Sequence, residues 1–151
     1  MNFEPAFKDF KQKVQDSFKR QRFMDLMGAE LVDIQPGYCE IKIPFDASLT
    51  QQHGFFHAGV VSTVADNAAG YAAFSLMEER ASILTVEYKL NLMAPAKGEF
   101  LIGKARVLKY GRTLTICRSD VYVVEKGKEK LCAAGQSTII QLKDKRDDSQ
   151  F

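Results

Sequence analysis

One aspartate, Asp66, lies in the middle of a long run of small and apolar residues, HAGVVSTVADNAAGYAAFSLM, at positions 57–77. Burying an unpaired carboxylate is expensive, and aspartate is a poor helix former, so neither packing nor helix propensity accounts for it. Carboxylates in such surroundings concentrate at active sites. Asp66 is therefore the candidate catalytic carboxylate. The alternatives are a side chain held by a neighbouring serine or threonine or by a partner's backbone, or one on a solvated stripe of the helix.

A second candidate feature is the start of the same helix, where His57 is followed by the small residues Ala58 and Gly59. Backbone N–H groups in a first helical turn have no intrahelical partner, and the helix dipole makes this end positive. Small side chains let a carbonyl oxygen approach the backbone, so the segment could bind a developing oxyanion. Every helix start has spare N–H groups, and this feature alone does not define a site.

The spacing of these two features predicts how a site would be assembled. Ala58 and Asp66 are eight residues apart, which is about 12 Å along a helix axis at 1.5 Å per residue. Within one chain they are too far apart to touch one reacting carbon atom. If two copies of the helix ran antiparallel across a two-fold axis, Asp66 of one subunit could lie beside Ala58 of the other. We therefore expect a homodimer, alone or within a dimer of dimers.

The remaining reactive side chains do not indicate a metal centre or a nucleophilic triad. His53 and His57 are four residues apart, but no third ligand is near them in the sequence, which disfavours zinc. No serine lies in a nucleophile elbow, and no cysteine–histidine pairing is visible. We predict no metal, and we expect His57 to hydrogen-bond backbone or substrate. The widely spaced cysteines are predicted to be reduced core residues: Cys39, Cys117 and Cys132.

The elements that would position these residues follow from the spacing of apolar side chains. Apolar residues recur at helical spacing from Pro5 to about Met27, which predicts one N-terminal amphipathic helix within residues 1–28. Its other face is basic, which would suit a membrane surface, but packing on its own domain or on a partner subunit is favoured. Two short runs joined by Pro36-Gly37, at 29–35 and 38–45, predict a hairpin.

The second half of the chain changes from helical to strand periodicity. A polar loop at 46–56 leads into a buried helix from His57 to about Met77, since that run is apolar nearly all round. Alternating patterns then predict four strands at 85–92, 100–109, 113–124 and 131–142. Their connections are too short for a crossover helix, which predicts an antiparallel α+β fold. The charged end, residues 143–151, is predicted to be a disordered tail.

Composition limits the class of protein. The chain has 151 residues and is 46% hydrophobic, which suits one globular domain, assigned to residues 29–142. The net charge is only +2, and basic residues alternate with acidic ones, so a dedicated nucleic-acid partner is not expected. No run approaches the length of a membrane span or a signal sequence. We expect a soluble cytoplasmic protein without stable membrane insertion.

The run QQHGFFHAGVVSTVADNAAGYAA resembles hotdog-fold acyl-coenzyme A thioesterases of the phenylacetic-acid-degradation (PaaI-like) type. Their helix entrance reads roughly Asn, two residues, Gly, two residues and His-Gly-Gly, followed by an Asp within the helix. Four of these features match, at Gly54, His57, Gly59 and Asp66. Less specific similarity continues through LNLMAPAKGE, VLKYGRTL and AAGQSTII, so the resemblance covers about residues 46–142.

The resemblance implies a fold and a reaction. The fold would be the hotdog fold, an antiparallel β-sheet wrapped around a long central helix, with the N-terminal helix as an addition. Asp66 would act as general base or nucleophile on an acyl-CoA thioester, and the N–H of Ala58 would polarise the thioester carbonyl. His57 and Gly59 complete the motif at the helix start. Ala58 departs from the family pattern, which has Gly there.

Further roles are implied at positions beside this motif. Gln51 replaces the family's Asn, which orients substrate or water, and Thr85 would be a strand hydroxyl near the aspartate. Because Gln has a longer side chain than Asn, the acyl preference of relatives should not be transferred. Lys109, Gly111 and Arg112 occupy a segment that lies near coenzyme A in similar enzymes; an exposed basic turn is the alternative. Coenzyme A belongs to the substrate, so no separate cofactor is expected.

Three functions are consistent with this sequence. The leading hypothesis is hydrolysis of an acyl-CoA to free acid and coenzyme A in a site shared across the dimer. A non-catalytic acyl-CoA-binding hotdog module is one alternative, although the carboxylate of Asp66 argues against it. A hotdog dehydratase or hydratase is the other, but the surroundings of His57 lack the usual motifs of those enzymes.

Overall fold

The computed structural model describes residues 3–147. This part of the chain forms three α-helices, a short 3-10 helix at Ala47–Leu49 and six β-strands. In chain order they are α1 (Phe10–Arg20), α2 (Arg22–Leu26), β1 (Glu30–Gln35), β2 (Tyr38–Pro44), α3 (Ala58–Phe74), β3 (Ser82–Leu92), β4 (Phe100–Tyr110), β5 (Leu114–Glu125) and β6 (Lys128–Leu142).

The six strands form a single antiparallel sheet in the order β1-β2-β4-β5-β6-β3. Every pair of neighbours is antiparallel, as expected because the connections after α3 are too short to hold a crossover helix. β3 follows α3 in the chain but pairs with β6, so it lies at an edge of the sheet.

The long helix α3 lies against the sheet, and its small residues allow a close approach. Ala68, Ala69, Ala72 and Ala73 are fully buried. A Cβ added at Gly103 of β4 would lie 2.9 Å from the backbone oxygen of Val64, so glycine is required where strand and helix meet. The predicted central helix wrapped by an antiparallel sheet is confirmed, with observed bounds of Ala58–Phe74 in place of His57 to about Met77.

The N-terminal segment differs from the prediction of one helix from Pro5 to Met27. The first helix begins only at Phe10, and extended backbone at Gln21 (φ −80°, ψ 94°) separates α1 from α2. Apolar spacing could not reveal this break, because the packing of the two short helices on the domain decides it. The predicted stop is confirmed, since Gly28 follows α2 with a φ of +63°.

The hairpin and the cysteines agree with the prediction from the sequence, and part of the predicted tail is described. The β1–β2 hairpin is confirmed, and its turn residue Gly37 has a φ of +74°, which favours glycine. All three cysteines are buried and free, as predicted. Within the predicted tail, Asp147 forms an ion pair with Arg20 of α1, and residues 148–151 lie outside the described residues. Within residues 3–147 no helix is long and apolar enough to cross a membrane.

Candidate active site

Asp66 lies on α3 with its carboxylate half-buried, and it contacts the edge strand. The hydroxyl of Thr85 on β3 donates a hydrogen bond of 2.9 Å to Oδ1 of Asp66. Burial raises the pKa of Asp66 above its ordinary value, and the Thr85 hydrogen bond opposes that rise. A carboxylate whose pKa is raised by desolvation and which keeps one hydrogen-bond donor is suited to accept a proton.

A β-bulge in the edge strand positions Thr85. Thr85 is paired with Ile139 of β6 and Glu87 with Thr138, so Val86 is an extra residue without a partner. Such a bulge changes the direction of neighbouring side chains. The strand periodicity could not predict the bulge, because a bulge depends on the register with β6. Thr85 nevertheless lies where the family resemblance implied, next to Asp66.

At the start of α3, the ring of His57 caps the helix. His57 is the N-cap residue, and its Nδ1 accepts a hydrogen bond of 2.9 Å from the N–H of Gly59. The N–H of Gly59 is therefore already used, while no group within residues 3–147 accepts a hydrogen bond from the N–H of Ala58. The N–H of Ala58 is the group at this helix start that can bind a carbonyl oxygen.

The same geometry explains why Gly59 is glycine while position 58 accepts alanine. A Cβ at Gly59 would lie 3.0 Å from Nδ1 of His57 and would press on the capping ring. Ala58 is exposed and retains its N–H, so its methyl group leaves the hydrogen-bonding geometry of the helix start unchanged.

Gln51 closes a tight turn beside this helix start. Its backbone carbonyl accepts from the N–H of Gly54 at 2.9 Å, and its side-chain oxygen accepts from the N–H of His53. Gly54 has a φ of +77°, which the turn requires. In the described part of the chain the Nε2 group of Gln51 has no acceptor, and it remains available to a ligand.

The predicted catalytic residues line two separate cavities of similar size. Asp66 and Thr85 line a cavity of about 230 Å³. Gln51 and Ala58 line a second cavity of about 240 Å³, together with Phe55 and other apolar residues. The structure therefore brings the predicted site residues together as two groups, and within one chain it does not bring the groups to each other.

The three residues suggested for coenzyme A binding have different surroundings in the structure. Gly111 is held by a close contact, because a Cβ there would lie 2.5 Å from the backbone oxygen of Leu114. Lys109 is exposed near the end of β4. Arg112 lines a cavity of about 500 Å³ with Lys143 and Lys145. The two lysines were missed because they fall in the segment predicted to be a disordered tail.

Part of the wall of the Asp66 cavity was not predicted from the sequence. Ser17 and Gln21, from the N-terminal segment, line the Asp66 cavity together with Tyr71. Nothing in their spacing relates them to Asp66, since they lie more than 40 residues away in the chain. Tyr71 is both a core residue, at 3% exposure, and part of the cavity wall.

An antiparallel six-stranded sheet packed on a long central helix is the hotdog fold of thioesterases. The model of the thioesterase superfamily matches residues 53–130, more than half of the chain. This protein belongs to the thioesterase superfamily, and the resemblance predicted from the helix motif is confirmed.

Relatives and solved structures agree with this assignment. Human acyl-coenzyme A thioesterase 13 is 33% identical over 124 residues, which cover 80% of this chain and 85% of that protein. The crystal structure of a thioesterase family protein from Silicibacter pomeroyi is 50% identical, covers 89% of this chain and 98% of its own, and has a TM-score of 0.87. The E. coli PaaI protein shares the fold, with a TM-score of 0.78 at 16% identity over 88% of this chain and 93% of its own.

Proposed function

We propose that this protein hydrolyses acyl-CoA thioesters to a free carboxylic acid and coenzyme A, in a site completed by a second copy of the chain. The observation that carries the proposal is the division of the site along α3. Asp66 with Thr85 lies in one cavity, and the free N–H of Ala58 with Gln51 lies in another. The name of the human relative, an acyl-CoA thioesterase, supports the choice of substrate class.

The edge strand β3 supports the proposed dimer. Large apolar residues are exposed along its length, among them Leu84 at 50%, Tyr88 at 51% and Leu92 at 56% exposure. A long apolar edge strand is a template for pairing with another strand, and an exposed apolar patch of this kind is typical of an interface. Antiparallel pairing of two β3 strands across a two-fold axis would cover it and extend the sheet.

The same pairing would join the two half-sites. Leu84 borders the Asp66 cavity, and Leu92 borders the Ala58 cavity. Because Tyr88 lies midway between them in the sequence, antiparallel pairing centred there would bring the Leu84 end of one strand close to the Leu92 end of the partner's strand. The Asp66 cavity of each subunit would then adjoin the Ala58 cavity of the other, which gives two equivalent sites.

The reaction follows from the groups that meet in this arrangement. The carboxylate of Asp66 accepts a proton from water as the water oxygen bonds to the thioester carbonyl carbon. The N–H of the partner's Ala58 donates to the resulting oxyanion. The carbon–sulfur bond then breaks, and the proton passes from Asp66 to the thiolate sulfur. In the alternative route the Asp66 carboxylate attacks the carbonyl carbon, and the carbon–sulfur bond breaks to release the coenzyme A thiolate. Water then opens the resulting anhydride, which regenerates the Asp66 carboxylate and gives the free acid, and the proton that water releases passes to the thiolate.

The phosphate groups of coenzyme A require a basic surface, and we assign them to the cavity lined by Arg112. Lys143 and Lys145 line the same cavity. A guanidinium group binds phosphate oxygens through paired hydrogen bonds, and the lysines add positive charge. Lys109 is exposed near the same end of the sheet and adds to this charge.

A hydrolysis assay with a thiol reagent tests the proposal. The purified protein should release coenzyme A from at least one member of a panel from acetyl-CoA to palmitoyl-CoA. Asp66→Asn should reduce turnover by about 10²- to 10⁴-fold, because the amide cannot accept the proton. Asp120→Asn is the matched control, since Asp120 pairs with Arg118 and Arg106 on the sheet, away from α3.

Three results would contradict parts of this proposal. Near-wild-type turnover by Asp66→Asn across the panel would remove Asp66 from the mechanism. Saturable acyl-CoA binding without turnover would indicate a binding module. Formation or loss of an enoyl absorbance without thiol release would indicate a dehydratase or hydratase.

A further inference from the structure

A polar cluster from the N-terminal segment forms part of the wall of the Asp66 cavity. Ser17 of α1, Gln21 between α1 and α2, and Tyr71 of α3 all line this cavity. Nε2 of Gln21 donates a hydrogen bond of 2.6 Å to the hydroxyl oxygen of Tyr71, and Oγ of Ser17 lies 3.2 Å from the same oxygen. The break at Gln21 is what places its amide on Tyr71.

The cluster has one hydroxyl proton more than its own hydrogen bonds use. Ser17 and Tyr71 each carry one O–H donor, and the contact between their oxygens uses only one of the two. Within residues 3–147 the other O–H donates no hydrogen bond, and the carboxylate of Asp147 also lines the cavity. Both side chains are almost fully buried, at 6% and 3% exposure, where an unmade hydrogen bond is costly. The free donor is available to an acceptor atom in the cavity.

Burial also keeps Tyr71 in its protonated form. The pKa of its phenol is raised above the ordinary value, chiefly by desolvation, although the hydrogen bonds from Ser17 and Gln21 oppose this rise. The cluster therefore presents neutral O–H and N–H groups near neutral pH, and it would not require an anionic ligand.

The position of the cluster limits what can reach it. Tyr71 follows Asp66 by five residues, about 7.5 Å along the helix axis. Within one chain the cavity that the cluster lines has a volume of about 230 Å³, and in the proposed dimer it would be joined by the partner's cavity of about 240 Å³ on the side of Ala58. With its carbonyl carbon at Asp66, an acyl group would meet the cluster after about five or six bonds.

We propose that Ser17, Gln21 and Tyr71 form the specificity-determining end of the acyl pocket, and that the preferred substrates are short acyl groups carrying an oxygen acceptor at that end. This inference rests on the proposed thioesterase function. Ser17 and Gln21 lie outside the matched residues 53–130, so the proposed preference does not follow from membership of the superfamily.

Two substrates that differ only in one carbonyl group test the preference. The wild-type protein should hydrolyse 5-oxohexanoyl-CoA with a kcat/KM about 3- to 10-fold above that of hexanoyl-CoA, the effect of one net hydrogen bond. The double variant Ser17→Ala/Tyr71→Phe removes both hydroxyl groups and should hydrolyse the two substrates equally well. Tyr122→Phe, which removes a tyrosine hydroxyl on the sheet, should keep the wild-type preference.

The length limit is tested with a variant that leaves the buried hydroxyl groups in place. Gln21→Ala shortens a half-buried side chain between two helices. It should raise kcat/KM for octanoyl-CoA and decanoyl-CoA relative to hexanoyl-CoA, because the pocket is opened at its end. This variant keeps the test informative if the double variant does not fold.

The outcomes separate this inference from the proposed function. An unchanged 5-oxohexanoyl preference in a folded double variant, no preference in the wild type, or an unchanged chain-length profile in Gln21→Ala would overturn the inference and leave thioester hydrolysis standing. Absence of hydrolysis for every acyl-CoA would overturn both proposals. A ratio of the two kcat/KM values, for 5-oxohexanoyl-CoA and hexanoyl-CoA, that falls to about one in the folded double variant would support the inference.

Discussion

Two opposing influences act on the carboxylate of Asp66. Burial raises its pKa, and the hydrogen bond from Thr85 lowers it, with burial the larger of the two. The sequence indicated Asp66 through its apolar neighbours, and the family resemblance indicated Thr85. The hydrogen bond from the N–H of Gly59 to the ring of His57 could not be predicted from the sequence, because a histidine at a helix start can face either backbone or ligand.

The pH dependence of hydrolysis tests this balance at Asp66. The ionised carboxylate is the active form, so kcat/KM should fall as the pH drops through the pKa of Asp66, above the ordinary range for aspartate. Thr85→Val removes the donor that lowers this pKa, so the inflection should move to higher pH. Thr85→Ser keeps the hydroxyl and should leave it in place. A downward shift in Thr85→Val would contradict this assignment.

Arg112 offers a second test at a single residue. Arg112→Gln should raise KM for acyl-CoA about 10- to 150-fold with little change in kcat, because a charged hydrogen bond to phosphate contributes about 1.5–3 kcal/mol and lies away from the reacting carbon. The increase should shrink at high salt. Arg118→Gln is the control, since Arg118 pairs with Asp120 on the sheet. Equal KM values for Arg112→Gln and the wild type would remove this residue from coenzyme A binding.

At the level of elements, periodicity predicted the strands and the central helix well. The N-terminal helix was predicted as one piece, and the break at Gln21 was missed because its hydrogen bond to Tyr71 joins residues 50 positions apart. Likewise, the alternation in β3 predicted a strand but not its place at the sheet edge. That place follows from the pairing of β3 with β6, which is a tertiary feature.

The exposed edge of β3 gives a prediction for this element. Tyr88→Glu places a charge at the centre of the proposed strand pair, so it should shift the protein toward monomer and reduce hydrolysis in parallel. Leu26→Glu, at a position 78% exposed on α2, is the control and should change neither property. Size-exclusion chromatography with light scattering measures the first effect. A fully dimeric and active Tyr88→Glu protein would exclude this edge as the interface.

For the whole molecule, the central claim is that each site combines Asp66 of one subunit with Ala58 of the other. The composition of the chain predicted a single compact domain, and the spacing of about 12 Å along α3 predicted the need for a second copy. Which surface the copies share could not be predicted, because it depends on the strand order β5-β6-β3 that leaves β3 uncovered.

A variant that removes only the N–H of Ala58 is available. Proline is well tolerated at the first position of a helix, because that N–H has no intrahelical partner. The preceding residue, His57, already has the extended conformation that proline requires (φ −62°, ψ 142°). Ala58→Pro should therefore fold normally and lose hydrolysis, whereas Ala58→Ser keeps the N–H and should remain active.

Subunit complementation tests the central claim most directly. Asp66→Asn and Ala58→Pro proteins, each inactive alone, are mixed in equal amounts, dissociated and reassociated. In a mixed dimer one site carries both changes and the other carries neither, so hydrolysis should return to about one quarter of the wild-type value when half of the dimers are mixed. Mixed dimers that remain as inactive as either parent would contradict a site shared between subunits.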